Sequence, residues 1–206
     1  MGFYPISLNL IGKKAVVVGG GKVAERKVKG LLEAQAAITV VSPELTEELH
    51  HFHQQGTITW KKKTFSADDM TDAFLIIAAA SDPEVSLAVK KTAAPNQLVN
   101  LADDPEESNF ILPAVYNQGR LNITVSTSGA SPILAKKIKQ QLSNQYGPEY
   151  KEYMDFLYDC RKWILQEIHD PKLKKSLLTA ITEQEFVTGP DREKDFEELL
   201  NRLKNS

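Results

Sequence analysis

The chain has 206 residues, enough for one sizeable core or for a compact domain with smaller appendages. Its 25 Lys and Arg stand against 27 Asp and Glu, and a formal charge of −2 leaves no electrostatic case for nucleic acid or an anionic membrane. A single cysteine, Cys160, excludes a disulfide framework within the chain. No apolar stretch approaches the roughly 20 residues that span a bilayer, and the start MGFYPISLNLIGKK lacks the apolar core of a secretory signal. A reducing, cytoplasmic setting is expected.

Ala15 to Val18 is a short Val-rich run with the character of a strand. Past three glycines, Val23, Ala24, Val28, Leu31 and Leu32 recur at helical spacing with charges between them. Ala37 to Val41 reads as a second strand, Leu45 to Phe52 as a short helix, and Thr57 to Trp60 as a third strand. Ala73 to Ala80, AFLIIAAA, is wholly apolar, as in a strand buried on both faces of a parallel sheet. Pro83 to Ala93 reads as a helix and Leu98 to Ala102 as another strand. This alternation predicts an α/β fold, a doubly wound parallel sheet.

Two strand candidates follow, Asn109 to Tyr116 and Leu121 to Thr127, around Asn117-Gln118-Gly119. Ser131-Pro132 has the form of a helix start, and Leu134, Ile138 and Leu142 mark one face of that helix. From about Gly147 the chain is charged and helical. Tyr150, Tyr153, Met154, Leu157, Ile164, Leu165 and Ile168 form a stripe that Asp170-Pro171 is expected to end. Two shorter amphipathic segments are expected at Leu173–Phe186 and Asp191–Leu203. Three regions result: an α/β unit over 1–112, a small strand-and-helix segment over 113–146, and a helical region over 147–206.

The stretch VVVGGGKVAERK carries the first chemistry. Gly19-Gly20-Gly21-Lys22-Val23-Ala24 fits the G-x-G-x-x-G/A pattern of Rossmann-type dinucleotide binding. Gly19 makes the tight turn, Gly21 lets a pyrophosphate approach the backbone, and Ala24 lets helix and strand pack closely. The helix start adds free N–H groups and partial positive charge. A glycine turn without a ligand is the plain alternative. The acidic residue usual some 20 positions further on is absent; Val41, Ser42, Pro43 and Glu44 stand there. No Lys or Arg lies between Lys29 and Lys61, whereas Glu44, Glu47 and Glu48 cluster, so a 2′-phosphate would meet like charge and NAD is favoured over NADP. Expected cofactor contacts are Gly19, Gly20, Gly21, Lys22 and Val23, then Ser42, Pro43 and Glu44, then Ala80 and Ser81 after the apolar strand.

Asp103 and Asp104 follow the last strand of this unit, where ligands of open α/β sheets bind. Either is placed to accept a proton, or simply to start a turn before Pro105. The loop Ser126-Thr127-Ser128-Gly129-Ala130-Ser131 offers donors for carboxylates, or merely caps a helix. His50, His51 and His53 read as solvated side chains rather than ligands, and no metal site is expected. Cys160 reads as a small packed residue. Lys61-Lys62-Lys63 is a solvated charge run or a clamp for an acidic substrate.

VVVGGGKVAERK, AAASDPEVS, VNLADDPEESNFILPA and ITVSTSGASPILAKKIKQQL, in this order and spacing, resemble the siroheme-synthase dehydrogenase family, in its short stand-alone form. The resemblance covers roughly 1–145 closely and the helical region loosely. It implies a homodimer that oxidises precorrin-2, a tetrapyrrole with eight carboxylates, to sirohydrochlorin with NAD. In some relatives iron insertion is an added activity. A nucleotide-sensing module without turnover is the alternative from another class. The family's N-x-x-D segment corresponds to Asn100-Leu101-Ala102-Asp103, which makes Asp103 the expected catalytic residue, as proton acceptor or substrate orienter. Asn100, Thr127 and Ser128 are expected substrate contacts, and Arg120, Lys136 and Lys137 lie in plausible segments for the carboxylates. Where some relatives carry two serines and then two glycines, Thr127 replaces the second serine and Ser128 the first glycine.

Overall fold

The computed structural model describes residues 2–205. The chain forms two compact units, one ending at Leu112 and the other beginning at Pro113. In the first, β1 (Lys14–Val18), β2 (Ala37–Val41), β3 (Ile58–Lys61), β4 (Leu75–Ala78) and β5 (Leu98–Leu101) form a parallel sheet in the order β3-β2-β1-β4-β5. Helices α1 (Lys22–Glu33), α2 (Glu47–Gln54) and α3 (Pro83–Thr92) make the crossovers. Successive side chains of a strand face opposite ways, so each strand feeds two cores. Ala15, Val17, Val40 and Ile77 meet Ala24, Val28 and Leu31 of α1 and Leu49 of α2. Val16, Val18, Ile76 and Ala78 meet Val89 of α3 and Met70 on the other face. Burial on both faces is why β1 and β4 read as continuous apolar runs.

The strand order runs outward from β1 to β3 and then returns to β4 beside β1. The carboxyl ends of β1 and β4 therefore flank the point where the winding reverses, the crevice in which such sheets bind ligands. The apolar run around β4 is shorter as a strand than expected: Ala79 and Ala80 leave the ladder and turn toward α3.

The expected strand Asn109–Tyr116 is corrected to β6 (Ala114–Gln118). Asn109 instead lies along the outer edge of β5, its side chain accepting from Val99 N at 2.7 Å and donating to Gln97 O at 2.7 Å. Ser108 Oγ accepts from Leu101 N. These side chains, with one backbone bond from Asn109 N to Val99 O, satisfy the edge where a further strand would have paired.

In the second unit β6 pairs antiparallel with β7 (Leu121–Val125) through the two-residue turn Gly119-Arg120, where Gly119 has φ +57°. Helix α4 (Pro132–Gln145) packs on this hairpin. Helices α5 (Glu149–Glu167), α6 (Pro171–Ala180), α7 (Gln184–Thr188) and α8 (Arg192–Lys204) enclose a core of Tyr153, Ile164, Leu177, Ile181, Phe186 and Leu199. Asp170-Pro171 does not end α5, which stops at Glu167; Asp170 caps α6, with Pro171 at its first position. The segment expected over Leu173–Phe186 is broken into α6 and α7, and Leu165, expected in the stripe, is exposed. Burial pushes the Cys160 thiol up to about 11, with Asp159 and Glu193 adding to the shift, so it behaves as a packed residue.

Candidate active site

The three glycines have separate reasons. Gly19 has φ +116°, and a Cβ there would lie 2.4 Å from Ala79 O and 2.9 Å from Ala80 N. Only glycine lets the β1 end close against the β4 end. Gly20 faces the β2 side, where a Cβ would stand 1.9 Å from Glu44 O and 2.8 Å from Ser42 Oγ. Gly19 N donates to Val41 O at 2.9 Å, and Thr46 N donates to Gly20 O at 2.9 Å. Gly21 begins α1 with no side-chain cap, and a Cβ there would meet nothing within 4 Å. The first turn of α1 thus starts without a side-chain cap and with room beside Gly21, which suits a phosphate site.

This arrangement brings together Gly19, Gly20, Ser42, Glu44 and Ala80, which come from three separate loops of the sequence. Ser42 is buried, its carbonyl accepting from Trp60 Nε1 at 2.9 Å, whereas Pro43, Glu44 and Ser81 are exposed. Val23 is an exposed apolar residue in the first turn of α1. Lys22 Nζ is held 2.9 Å from Glu25, a nearly buried carboxylate of α1. Bonds from Lys22, then Thr46 and Lys29, outweigh desolvation and push Glu25 down to about 2. Lys29 also pairs with Glu48, so the network joins α1 to the start of α2.

The three lysines after Trp60 are neither idle nor a clamp. Lys61 and Lys63 each lie 3.0 Å from Asp69, and Lys62 sits over the Trp60 ring. Asp69 also accepts from Ser66 N, closing a capping box on the 3₁₀ turn Ala67–Met70. His50 and His53 each make a T-shaped ring contact with Trp60, and His51 bonds Gln55.

The adjacent aspartates separate clearly. Asp104 caps the 3₁₀ turn Pro105–Glu107 by accepting from Glu107 N, which is the turn-starting role. Asp103 is exposed at the end of β5 and accepts one bond, from Ser86 Oγ at 2.7 Å. Asn100 is buried, and its amide donates to Phe110 O at 3.1 Å; in this structure it anchors the chain beyond β5. Ser86 was not legible as a site residue. Its one signal is a hydroxyl three positions before the buried Val89, on the inner face of α3.

In the second unit, Thr127 Oγ1 accepts from Ser131 N at 3.0 Å and Ser131 Oγ from Leu134 N at 3.2 Å. Both hydroxyls act as caps, and each keeps its proton free to donate elsewhere. Ser128 has φ +50°. Arg120 pairs with Asp155 at 2.8 Å and stacks on the Tyr158 ring, while Lys136 and Lys137 are exposed on α4.

A glycine-cornered parallel sheet with an uncapped helix start defines a Rossmann-type nucleotide-binding protein. Residues 6–114 match a family described as putative NAD(P)-binding, 118–145 the sirohaem biosynthesis protein central family, and 150–196 the SirC C-terminal domain. A precorrin-2 dehydrogenase from Priestia megaterium is 36% identical over 201 residues, 98% of this chain and 100% of its own. One from Bacillus subtilis is 34% identical over 158 residues, 77% of this chain and 98% of its own. A siroheme synthase from Nitrosococcus oceani is 37% identical over 169 residues, which is 36% of its own length. The solved structure of SirC, a precorrin-2 dehydrogenase, matches with a TM-score of 0.84 at 36% identity, over 97% of this chain and 100% of its own. The chain belongs to the precorrin-2 dehydrogenase family, oxidoreductases of siroheme biosynthesis that use a nicotinamide cofactor.

Proposed function

We propose that the chain oxidises precorrin-2 to sirohydrochlorin with NAD, as a homodimer in the cytoplasm. Near full-length similarity to precorrin-2 dehydrogenases carries this reading. NAD, when bound, would supply the hydride acceptor. The protein's part is to cradle the pyrophosphate at Gly21 and the first turn of α1, with Lys22 and Val23 at the rim. Ser42, Pro43 and Glu44 meet the adenosine side, and Ala80 and Ser81 border the crevice.

NAD is preferred over NADP because, among the described residues, the cations placed nearest the end of β2 are already paired. Lys61, the register partner of Val41, is paired with Asp69, and Lys29 is paired with Glu25 and Glu48. Exposed Glu44 would repel a 2′-phosphate.

Asp103 accepts the proton released as the macrocycle is oxidised, or fixes the substrate for hydride loss. Thr127 and Ser128 supply hydroxyl donors to substrate carboxylates. Anaerobic incubation of the full chain with precorrin-2 and NAD should produce the sirohydrochlorin spectrum, with NADP much less effective. Asp103→Ala should lower kcat at least 100-fold, as for loss of a general base (~10²–10⁴), with NAD affinity retained. Failure of wild-type turnover with either nucleotide would sink the reading. Sirohydrochlorin and ferrous iron without NAD test metal insertion separately.

A further inference from the structure

We propose that Ser86 is a positioning residue for Asp103, fixing which carboxylate oxygen faces the substrate; this rests on the reading of Asp103 as the residue that meets it. A serine within a helix ordinarily points to solvent or bonds back to the carbonyl four residues earlier. Ser86 does neither. It is buried, 4% exposed, and its Oγ reaches 17 residues along the chain to Asp103 Oδ1 at 2.7 Å. A buried hydroxyl has one proton, and this one goes to an exposed carboxylate. Among the described residues, no group bonds Oδ2 of Asp103.

A second tie comes from the same face of α3. Lys90, four residues after Ser86, pairs with Glu107. The loop after β5 is therefore stapled to α3 at both ends, by Ser86 at Asp103 and by Lys90 at Glu107. Asp104, between them, turns to Glu107 N and takes no part. The staple selects one of two neighbouring carboxylates and removes its torsional freedom. With Oδ1 occupied by a donor, Oδ2 is the oxygen left to take a proton or hold a substrate N–H. A carboxylate that must act in one geometry loses rate when it samples others.

The test is a set of variants in the anaerobic NAD-dependent assay. Removing a charge-assisted hydrogen bond and the orientation it imposes predicts that Ser86→Ala lowers kcat roughly 10- to 100-fold. The KM for precorrin-2 and the Kd for NAD should change less than about threefold, because neither binding surface is altered. Ser86→Thr, which keeps the hydroxyl, should recover most of the rate. In the Asp103→Ala background, Ser86→Ala should have no further effect, since Ser86 acts only through that carboxylate. Wild-type kcat in Ser86→Ala, or a full additional loss in the double variant, overturns the proposal. If the extra methyl of Thr unfolds the protein, the Ser86→Ala and Asp103→Ala cycle decides alone. If Asp103→Ala itself turns over normally, the reading of Asp103 has failed; if only Ser86→Ala does, the staple has.

Discussion

Gly19–Gly21 and Ser126–Ser131 both carry the chain from a strand into a helix. In the first, Gly19 N reaches Val41 O, Thr46 N reaches Gly20 O, and Ala79 N reaches Val18 O. These bonds tie the corner to the end of β2, to the Thr46 cap of α2 and to the end of β4. In the second, Ala130 N bonds Thr127 O, Ser128 N bonds Ser126 Oγ, and Ser131 N bonds Thr127 Oγ1. No bond there spans more than four residues. The sheet shapes the first corner, so a change in it propagates to neighbouring loops. The second is shaped by its own hydroxyls, so a change in it stays local. Two loops with similar promise for binding anions thus differ in what a mutation can break.

The harshest test of this contrast is Gly20→Ala. The added Cβ would stand 1.9 Å from the Glu44 carbonyl, which is backbone and cannot swing aside. Either the β2–α2 loop or α1 must move. Overpacking of this kind costs about 1–3 kcal/mol, and displacing Ser42 and Glu44 should weaken NAD binding at least tenfold. Gly21→Ala is the matched control for stability, since nothing lies within 4 Å of its Cβ; its methyl would stand only in the way of the pyrophosphate. Thermal melting should therefore separate the two variants, even where both weaken NAD binding. An equal fall in melting temperature at both positions would mean that the sheet does not brace the corner.

Charge braces the same unit through Asp69. Burial acts to raise its carboxyl, but Lys63, the Ser66 N–H and Lys61 prevail and hold it at about 2 against an ordinary 3.8. The folded value is the lower one, so this stabilisation is complete well above pH 4. It is lost as the pH falls through about 4 to about 2. The difference amounts to about 2 kcal/mol. Urea unfolding of Asp69→Asn at pH 7 should show a deficit of that size, shrinking to nothing near pH 2. A deficit that persists at pH 2 would place the effect in packing instead.

Legibility in the sequence follows the same division. The parallel sheet, α1 and the glycine pattern were readable because periodicity and G-x-G-x-x-A are local signals. The reason for Gly20 was not, because its constraint is the Glu44 carbonyl on another loop. Asp103 was separable from Asp104 only through family resemblance; the structure supplies the cause, a hydroxyl from α3 on one and a turn N–H on the other. The strand expected from Asn109 starts later because the Asn109 side chain takes two of the bonds along the edge of β5 and only its own N–H adds a backbone one. Asp170-Pro171 reads as an ending because a cap and proline punctuate either side of a break, and only the next helix shows that they open α6.

The smallest effect is expected at Ser128, where the local character of the second loop can be isolated. Its φ of +50° places an L residue in the left-handed region, which favours glycine. An L side chain there costs about 1–2 kcal/mol, and glycine returns part of that through its greater freedom in the unfolded chain, about 0.5–1 kcal/mol. Ser128→Gly should therefore stabilise by about 0.5 kcal/mol, a rise of a degree or two in melting temperature. Ser128→Ala keeps the strained backbone and should give no such rise. Both variants lack the hydroxyl, so both should raise the KM for precorrin-2 alike if that group meets a substrate carboxylate. A higher KM in Ser128→Gly alone would trace the effect to backbone freedom, and the loop would then act through its shape rather than through this donor. NAD affinity should stay at the wild-type value in both, because the bonds that shape this loop never leave it.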